Sequence, residues 1–98
     1  MKVAKIADKI LISMYKRFIE TGERCSCAEK IVSDFPEYSP HLIYAALDML
    51  CLDNFLSVLY ANDEPTEISL NVQAMQRCDE NTLLKRGYNF LKELRDWL

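Results

Sequence analysis

The stretch from Ser39 to Asn54 constrains the fold more than any other part of this chain. Ser39 supplies a side chain suited to capping a helix, and Pro40 fits the first helical position, where its fixed φ is already helical and its missing N–H is not needed. Asp53-Asn54 closes the segment. Between these signals Ile43, Ala46, Leu47 and Leu50 recur at helical spacing, and Leu42, Ala45, Met49 and Leu52 form a second stripe beside them. A helix that is apolar nearly all round must be covered on both sides. The rest of the chain has to wrap around this helix, or a partner has to meet it.

Flanking segments supply the cover. Val3, Ile6, Ile10, Met14 and Phe18, widened by Ala7, Leu11, Tyr15 and Ile19, predict a first helix of about five turns. It should stop at Thr21-Gly22, where Gly22 can take the left-handed conformation. Ser26 with Glu29 reads as a capping box opening a short second helix that carries Ala28, Ile31 and Val32 inward. Phe35-Pro36-Glu37-Tyr38 breaks it. After the third helix, Phe55 to Ala61 is rich in strand formers, Asn62-Asp63-Glu64-Pro65 is a turn, and Thr66 to Leu70 returns as a second strand. Asn71 can cap a short helix with Val72, Met75 and Cys78. A long last helix then begins at Asp79-Glu80-Asn81-Thr82, with Leu84, Tyr88, Leu91 and Leu94 on one side, and Gly87 inside it costs about 1 kcal/mol of helix propensity relative to Ala. The expected fold class is therefore α+β, mainly helical: three helices, a two-stranded wing, a short helix and a long C-terminal helix.

At 98 residues the chain is one domain, residues 1–98, with enough surface to bury for a core of its own. No apolar run approaches the length needed to span a bilayer, and Lys2, Lys5 and Asp8 fall where a signal peptide would be apolar. Cys25, Cys27, Cys51 and Cys78 make a poor disulfide framework. These features point to a cytoplasmic protein with reduced thiols.

Charge is distributed unevenly. All 12 Lys and Arg residues lie outside the stretch from Ile31 to Gln76, which carries Asp34, Glu37, Asp48, Asp53, Asp63, Glu64 and Glu67. Duplex DNA attracts proteins chiefly through cations that displace condensed counterions from the phosphates. A surface built from this stretch has none of its own.

Residues 26 to 70 resemble the winged helix-turn-helix superfamily, in element order and in Ile43, Ala46, Leu47 and Leu50 followed by Asp53-Asn54-Phe55-Leu56. The wing residues Tyr60-Ala61-Asn62-Asp63-Glu64-Pro65 and the ending Lys92-Glu93-Leu94-Arg95-Asp96-Trp97-Leu98 are similar to small uncharacterised bacterial and phage proteins of the YjcQ type. The superfamily resemblance implies DNA binding and transcription regulation, often as a dimer joined through terminal helices, with His41, Tyr44 and Asp48 facing the major groove. The sequence departs from a DNA reader there. Base edges are usually read by Arg, Lys, Asn or Gln, and the wing tip offers Asn62, Asp63 and Glu64.

The expected role is accordingly a non-catalytic regulatory module that works through protein–protein contacts, with a DNA-binding transcriptional regulator as the alternative. An acidic mimic of DNA fits the charge gap less well, because the acids are sparse. The partner-binding face is expected on the third helix, at His41, Leu42, Tyr44, Ala45, Asp48, Met49 and Leu52, with the wing tip at Asn62, Asp63 and Glu64. A homodimer seam is expected from the terminal helices at Tyr15, Phe18, Tyr88, Phe90 and Trp97. No cofactor is expected. Cys25, Cys27, Cys78 and His41 are a nominal zinc inventory without a paired-cysteine knuckle, so no metal is expected either. With only Gly22 and Gly87 in the chain there is no glycine-rich phosphate loop. The cations of the ends, among them Lys5, Lys9, Lys16 and Arg17, read as an ordinary solvated surface.

Overall fold

The computed structural model describes residues 3–73, 80–90 and 92. Helix α1 (Val3–Thr21) is followed by strand β1 (Cys25–Cys27), helices α2 (Ala28–Asp34) and α3 (Pro40–Leu52), the hairpin β2 (Leu56–Ala61) and β3 (Glu64–Leu70), and the short helix α4 (Glu80–Lys85). The chain is α+β and mainly helical, with one small antiparallel sheet in the order β1-β3-β2.

The apolar periodicity read from the sequence places the core correctly. Ile6, Ala7, Ile10 and Leu11 of α1 and Ile43, Ala46, Leu47 and Leu50 of α3 are wholly buried, and they make α1 and α3 the main helix pair of one continuous cluster. Ala28 and Ile31 of α2, Leu56 of β2, and Ile68 and Leu70 of β3 close it from the sheet side. Burying each large aliphatic side chain contributes roughly 1.5–3 kcal/mol.

Three helices end in the left-handed conformation, each with its own chemistry. Gly22 (φ 78°) ends α1, its N–H donating to the Phe18 carbonyl. Asn54 (φ 67°) ends α3, where Phe55 N–H donates to Leu50 O and Asn54 N–H to Cys51 O. Gly87 (φ 94°) ends α4 in the same way, with Tyr88 N–H on Leu83 O and Gly87 N–H on Leu84 O. The last two are Schellman stops, completed by burial of the residue after the stop: Phe55 against Leu50, and Tyr88 against Leu83.

Several expectations are corrected. Ser26 does not cap α2. It lies in β1, paired with Ile68, and Cys27 stands at the cap position with no side-chain cap bond. The expected two-stranded hairpin is thus part of a three-stranded sheet, because Cys25, Ser26 and Cys27 pair with Ser69, Ile68 and Glu67. The last helix is not continuous: the Schellman stop at Gly87 ends α4 after Lys85, and helical backbone resumes at Phe90. Met75 and Cys78 of the expected short helix, and Leu91, Leu94 and Trp97 of the last one, lie outside the described residues.

Four of the residues expected at a homodimer seam are drawn into the chain's own core. Tyr15, Tyr88 and Phe90 are buried within the chain, at 6%, 1% and 0% exposure, and Phe18 packs half-buried against the same core. Phe55, Tyr88 and Phe90 form a mutually edge-on trio with centroids 5.2–5.7 Å apart, the geometry aromatic quadrupoles favour. The α3–β2 junction, through Phe55, thus draws Tyr88 and Phe90 of the C-terminal segment into the core.

Asp8, buried in the middle of the α1 apolar stripe, has a specific role. Its carboxylate accepts hydrogen bonds from the backbone N–H groups of Asn89 (2.9 and 3.0 Å) and Phe90 (3.2 Å), capping the point where helical backbone resumes. Asp8→Ala should therefore destabilise the protein by about 2 kcal/mol in urea unfolding, whereas Asp8→Asn, which keeps one acceptor, should lose less. Gly87→Ala should cost more than Gly22→Ala. Both impose a positive φ on a side chain, at about 1–2 kcal/mol, but only at position 87 would the new Cβ meet a neighbour, 3.2 Å from the Cβ of Ala4.

Candidate protein-docking surface

Helix α3 is anchored through one face, and that determines what the other presents. With Ile43, Ala46, Leu47 and Leu50 inward, the stripe His41, Ala45, Asp48 and Leu52 points away from α1, at the i, i+4, i+7, i+11 spacing of one helical edge. His41 and Asp48 are exposed and Ala45 is half-buried. Leu52 is 83% exposed, the most open large apolar side chain among the described residues. The flanking residues Leu42, Tyr44 and Met49 are half-buried and pack on the core. The second apolar stripe is therefore split: Leu42 and Met49 are largely absorbed within the chain, and Leu52 is left in the open.

The hairpin lies beside this stripe and is tied to it. The Tyr60 hydroxyl donates to the Asp48 carboxylate at 2.6 Å, joining β2 to the exposed edge of α3. This bond disfavours the phenolate, and with burial it raises the Tyr60 hydroxyl from 10.0 to about 12. At the tip, Asn62 (φ 54°) and Asp63 (φ 64°) form the two-residue turn between Ala61 and Glu64. Positive φ at both central residues marks type I′, whose twist matches the strands it joins. Asn62, Asp63 and Glu64 are all exposed.

The charge gap is preserved on this surface and bridged behind it. Among the described residues, Lys9 and Arg86 reach into it from outside the 31–76 stretch. Lys9 of α1 donates to the Tyr38 hydroxyl at 2.8 Å, a bond that raises the lysine above its ordinary 10.5. Arg86, just past α4, pairs with Asp53 at the end of α3, and the Tyr88 hydroxyl donates to the other oxygen of that carboxylate at 2.6 Å. The Tyr88 hydroxyl is raised to about 12 by burial first, then by the negative charge of Asp8, with Arg86 opposing. Lys9 is engaged in the connection that precedes α3 and Arg86 at the residue that ends it. No Lys or Arg of the sequence between Ile31 and Gln76 contributes to its outer edge.

None of these tethers was legible in the sequence. Asp48 and Tyr60 lie 12 residues apart, Lys9 and Tyr38 29, and Asp53 and Tyr88 35, distances over which local spacing carries no signal. The one available hint was Asp8 itself, a carboxylate on an otherwise apolar face, which seldom survives burial without a partner.

The residues nominally suited to zinc are not assembled. Cys25 and Cys27 are exposed on β1, His41 stands at the start of α3, and Cys78 lies outside the described residues. Among the described residues no group of three His, Cys, Asp or Glu could hold a metal ion. No described helix is long and apolar enough to cross a membrane. Comparison of the chain with protein-family models, with curated proteins and with solved structures finds no match in any of the three.

The two raised tyrosines give a pH signature. A group whose folded pKa exceeds its unfolded value stabilises the fold fully below the unfolded value, and the contribution is lost as pH rises through the folded one. The contribution of these two groups should thus be constant up to about pH 10 and be lost between about pH 10 and 12. Tyrosinate absorbance should show both groups titrating late, and Asp48→Asn should return Tyr60 alone towards 10.

Proposed function

We propose that this chain is a non-catalytic winged-helix regulatory module that acts by docking a protein partner on the outer edge of α3 and the adjoining hairpin. The element order supports the winged-helix reading: α2 and α3 are joined by the short Phe35–Ser39 connection and followed directly by a hairpin. The observation that carries the docking reading is Leu52, 83% exposed at the end of a stripe that includes Ala45, with half-buried Tyr44 and Met49 on its flanks. Contact surfaces are enriched in aromatic residues and Met, and a small apolar centre within a polar rim is their usual composition. His41, Asp48 and the tip residues Asn62, Asp63 and Glu64 make such a rim. Its acidity favours a partner with Lys or Arg opposite.

A second reading, DNA binding by a face other than α3, draws on a separate observation. Lys5, Lys9 and Lys16 of α1 line one open groove of about 1090 Å³, floored by Ile12 and by Phe35 just after α2. Asp8 and Asp34 line it too, and Lys9 is held by Tyr38. The cations that face the groove are thus partly offset and partly engaged, which is why this reading ranks second.

A photo-crosslinking side chain at position 52 tests the first reading. It should give a discrete adduct in cells that the same group at Ser13 of α1 does not, and Asp63→Asn with Glu64→Lys at the exposed tip should weaken that adduct while leaving thermal stability within about 0.5 kcal/mol. Anisotropy of random duplex DNA at about 50 and 200 mM salt tests the second. Binding that collapses at the higher salt and is abolished by Lys5→Glu with Lys16→Glu would displace docking as the leading function.

A further inference from the structure

Helix α1 has an outer edge as well as a core face. Lys5, Lys9, Ile12 and Lys16 stand at i, i+4, i+7 and i+11, one line along the helix. The three lysines are exposed and Ile12 is half-buried. This line borders the groove of about 1090 Å³, which Asp34 and Phe35 border from the end of α2. Ala4 and Gly87 lie together at one end of it, where a Cβ on the glycine would come 3.2 Å from that of Ala4. In a chain of net charge −3, three cations in line over an apolar floor are a local feature.

The acids nearby do not cancel this line. Asp8 is 6% exposed and its carboxylate is held by the Asn89 and Phe90 N–H groups, so its charge is spent inside the fold. Asp34 stands across the groove, and Glu37 acts on Lys9 without lining it. An ammonium has three donors, and the Tyr38 hydroxyl takes one from Lys9 at 2.8 Å, which positions the cation without neutralising it. The groove therefore asks for two things at once: apolar groups over Ile12 and Phe35, and anions about 6 and 10 Å apart along α1. A small anion meets one lysine only, and a nucleic-acid backbone brings no apolar side chains to the floor. No strand lines the groove among the described residues, so an extended peptide finds no ladder to join. A helix satisfies its own backbone and can carry both kinds of side chain.

We propose that this groove docks an acidic amphipathic helix of a partner protein, with its apolar face on Ile12 and Phe35 and its carboxylates on Lys5, Lys9 and Lys16. Lying alongside α1, the partner helix meets the lysines with acids at the same four- and seven-residue spacing, as flanking charges meet across a coiled coil. The small residues Ala4 and Gly87 let its backbone come close at one end. The groove and the α3 edge carry opposite charge and select opposite partners. Neither surface depends on the other, so the chain can hold an acidic and a basic partner together. A cross-linking group at Ser13, exposed on this groove, should accordingly give an adduct different from that at position 52.

Selection from a display library of random peptides of about 14 residues, long enough to run beside α1 from Ala4 to Lys16, tests this on the whole chain. Peptides retained by the wild-type chain and released by Lys5→Glu with Lys16→Glu should carry Asp or Glu beside an apolar stripe at helical spacing. Made with a fluorophore, they should gain helical circular dichroism on binding. Ser13→Glu is the second variant. It sets a carboxylate on the exposed rim, three residues from Lys16 and four from Lys9, where it ties up both and supports the helix. It should raise the peptide Kd by about 10-fold or more, whereas Glu64→Lys at the hairpin tip should leave it unchanged. Three outcomes would each overturn the proposal: no sequence that separates the wild type from the double variant, separating sequences without acids, or an affinity indifferent to Ser13→Glu. The first, with random duplex DNA bound through the same lysines, would give the groove to nucleic acid.

Discussion

Everything in this molecule is arranged around the contact between α1 and α3. Ile6, Ile10 and Leu11 meet a wall of Ile43, Leu47 and Leu50, all at 0% exposure, and the removal of that surface from water is the main stabilising term. It also orients α3. Once one face is committed to α1, the angular position of every other residue on α3 is set. Leu42, Tyr44 and Met49 fall on the flanks, where the rest of the core absorbs them in part, and Leu52 falls outside. The exposed edge is a consequence of the packing rather than an independent feature.

Polar contacts then lock the periphery onto this pair of helices, and they do so with carboxylates. Asp8 holds the backbone at Asn89 and Phe90, Asp53 holds Arg86 and Tyr88, and Asp48 holds Tyr60. Each is a charge-assisted bond, stronger than a neutral one. Asp8 and Asp53 bring the C-terminal segment onto the ends of α1 and α3, and there Tyr88 and Phe90 complete an aromatic cluster with Phe55. Asp48 fixes the hairpin against α3. Two of the acids in the cation-free middle of the chain are thus consumed as tethers; of the rest, Asp63, Glu64 and Glu67 lie on the hairpin, and Asp34 and Glu37 are exposed at the end of α2 and just after it.

The hairpin is held by α3 through its core-facing side, with Leu56, Val58 and Tyr60, the last bonded to Asp48. Its exposed tip at Asn62, Asp63 and Glu64 lies at the rim of the proposed docking edge. Recognition there would rest on apolar burial and charge.

The sequence by itself determined the helices α1 and α3, their core faces, the hairpin and its turn, because each rests on local periodicity or on turn chemistry within a few residues. It also determined that the middle of the chain has no cation. Only the tertiary structure decided the rest. Cys25-Ser26-Cys27 became a strand because β3 lay within reach to pair with it, overriding a capping-box pattern that is a purely local preference. Gly87 became a stop rather than a weak point in a helix because Asp8, far away in sequence, could cap the backbone beyond it. The aromatic residues of the ends became core because the α3–β2 junction, built around Phe55, left a cavity of their shape. Local signals report what a segment prefers alone, and long-range contacts act only after the chain has folded back on itself, so no spacing in the sequence records them.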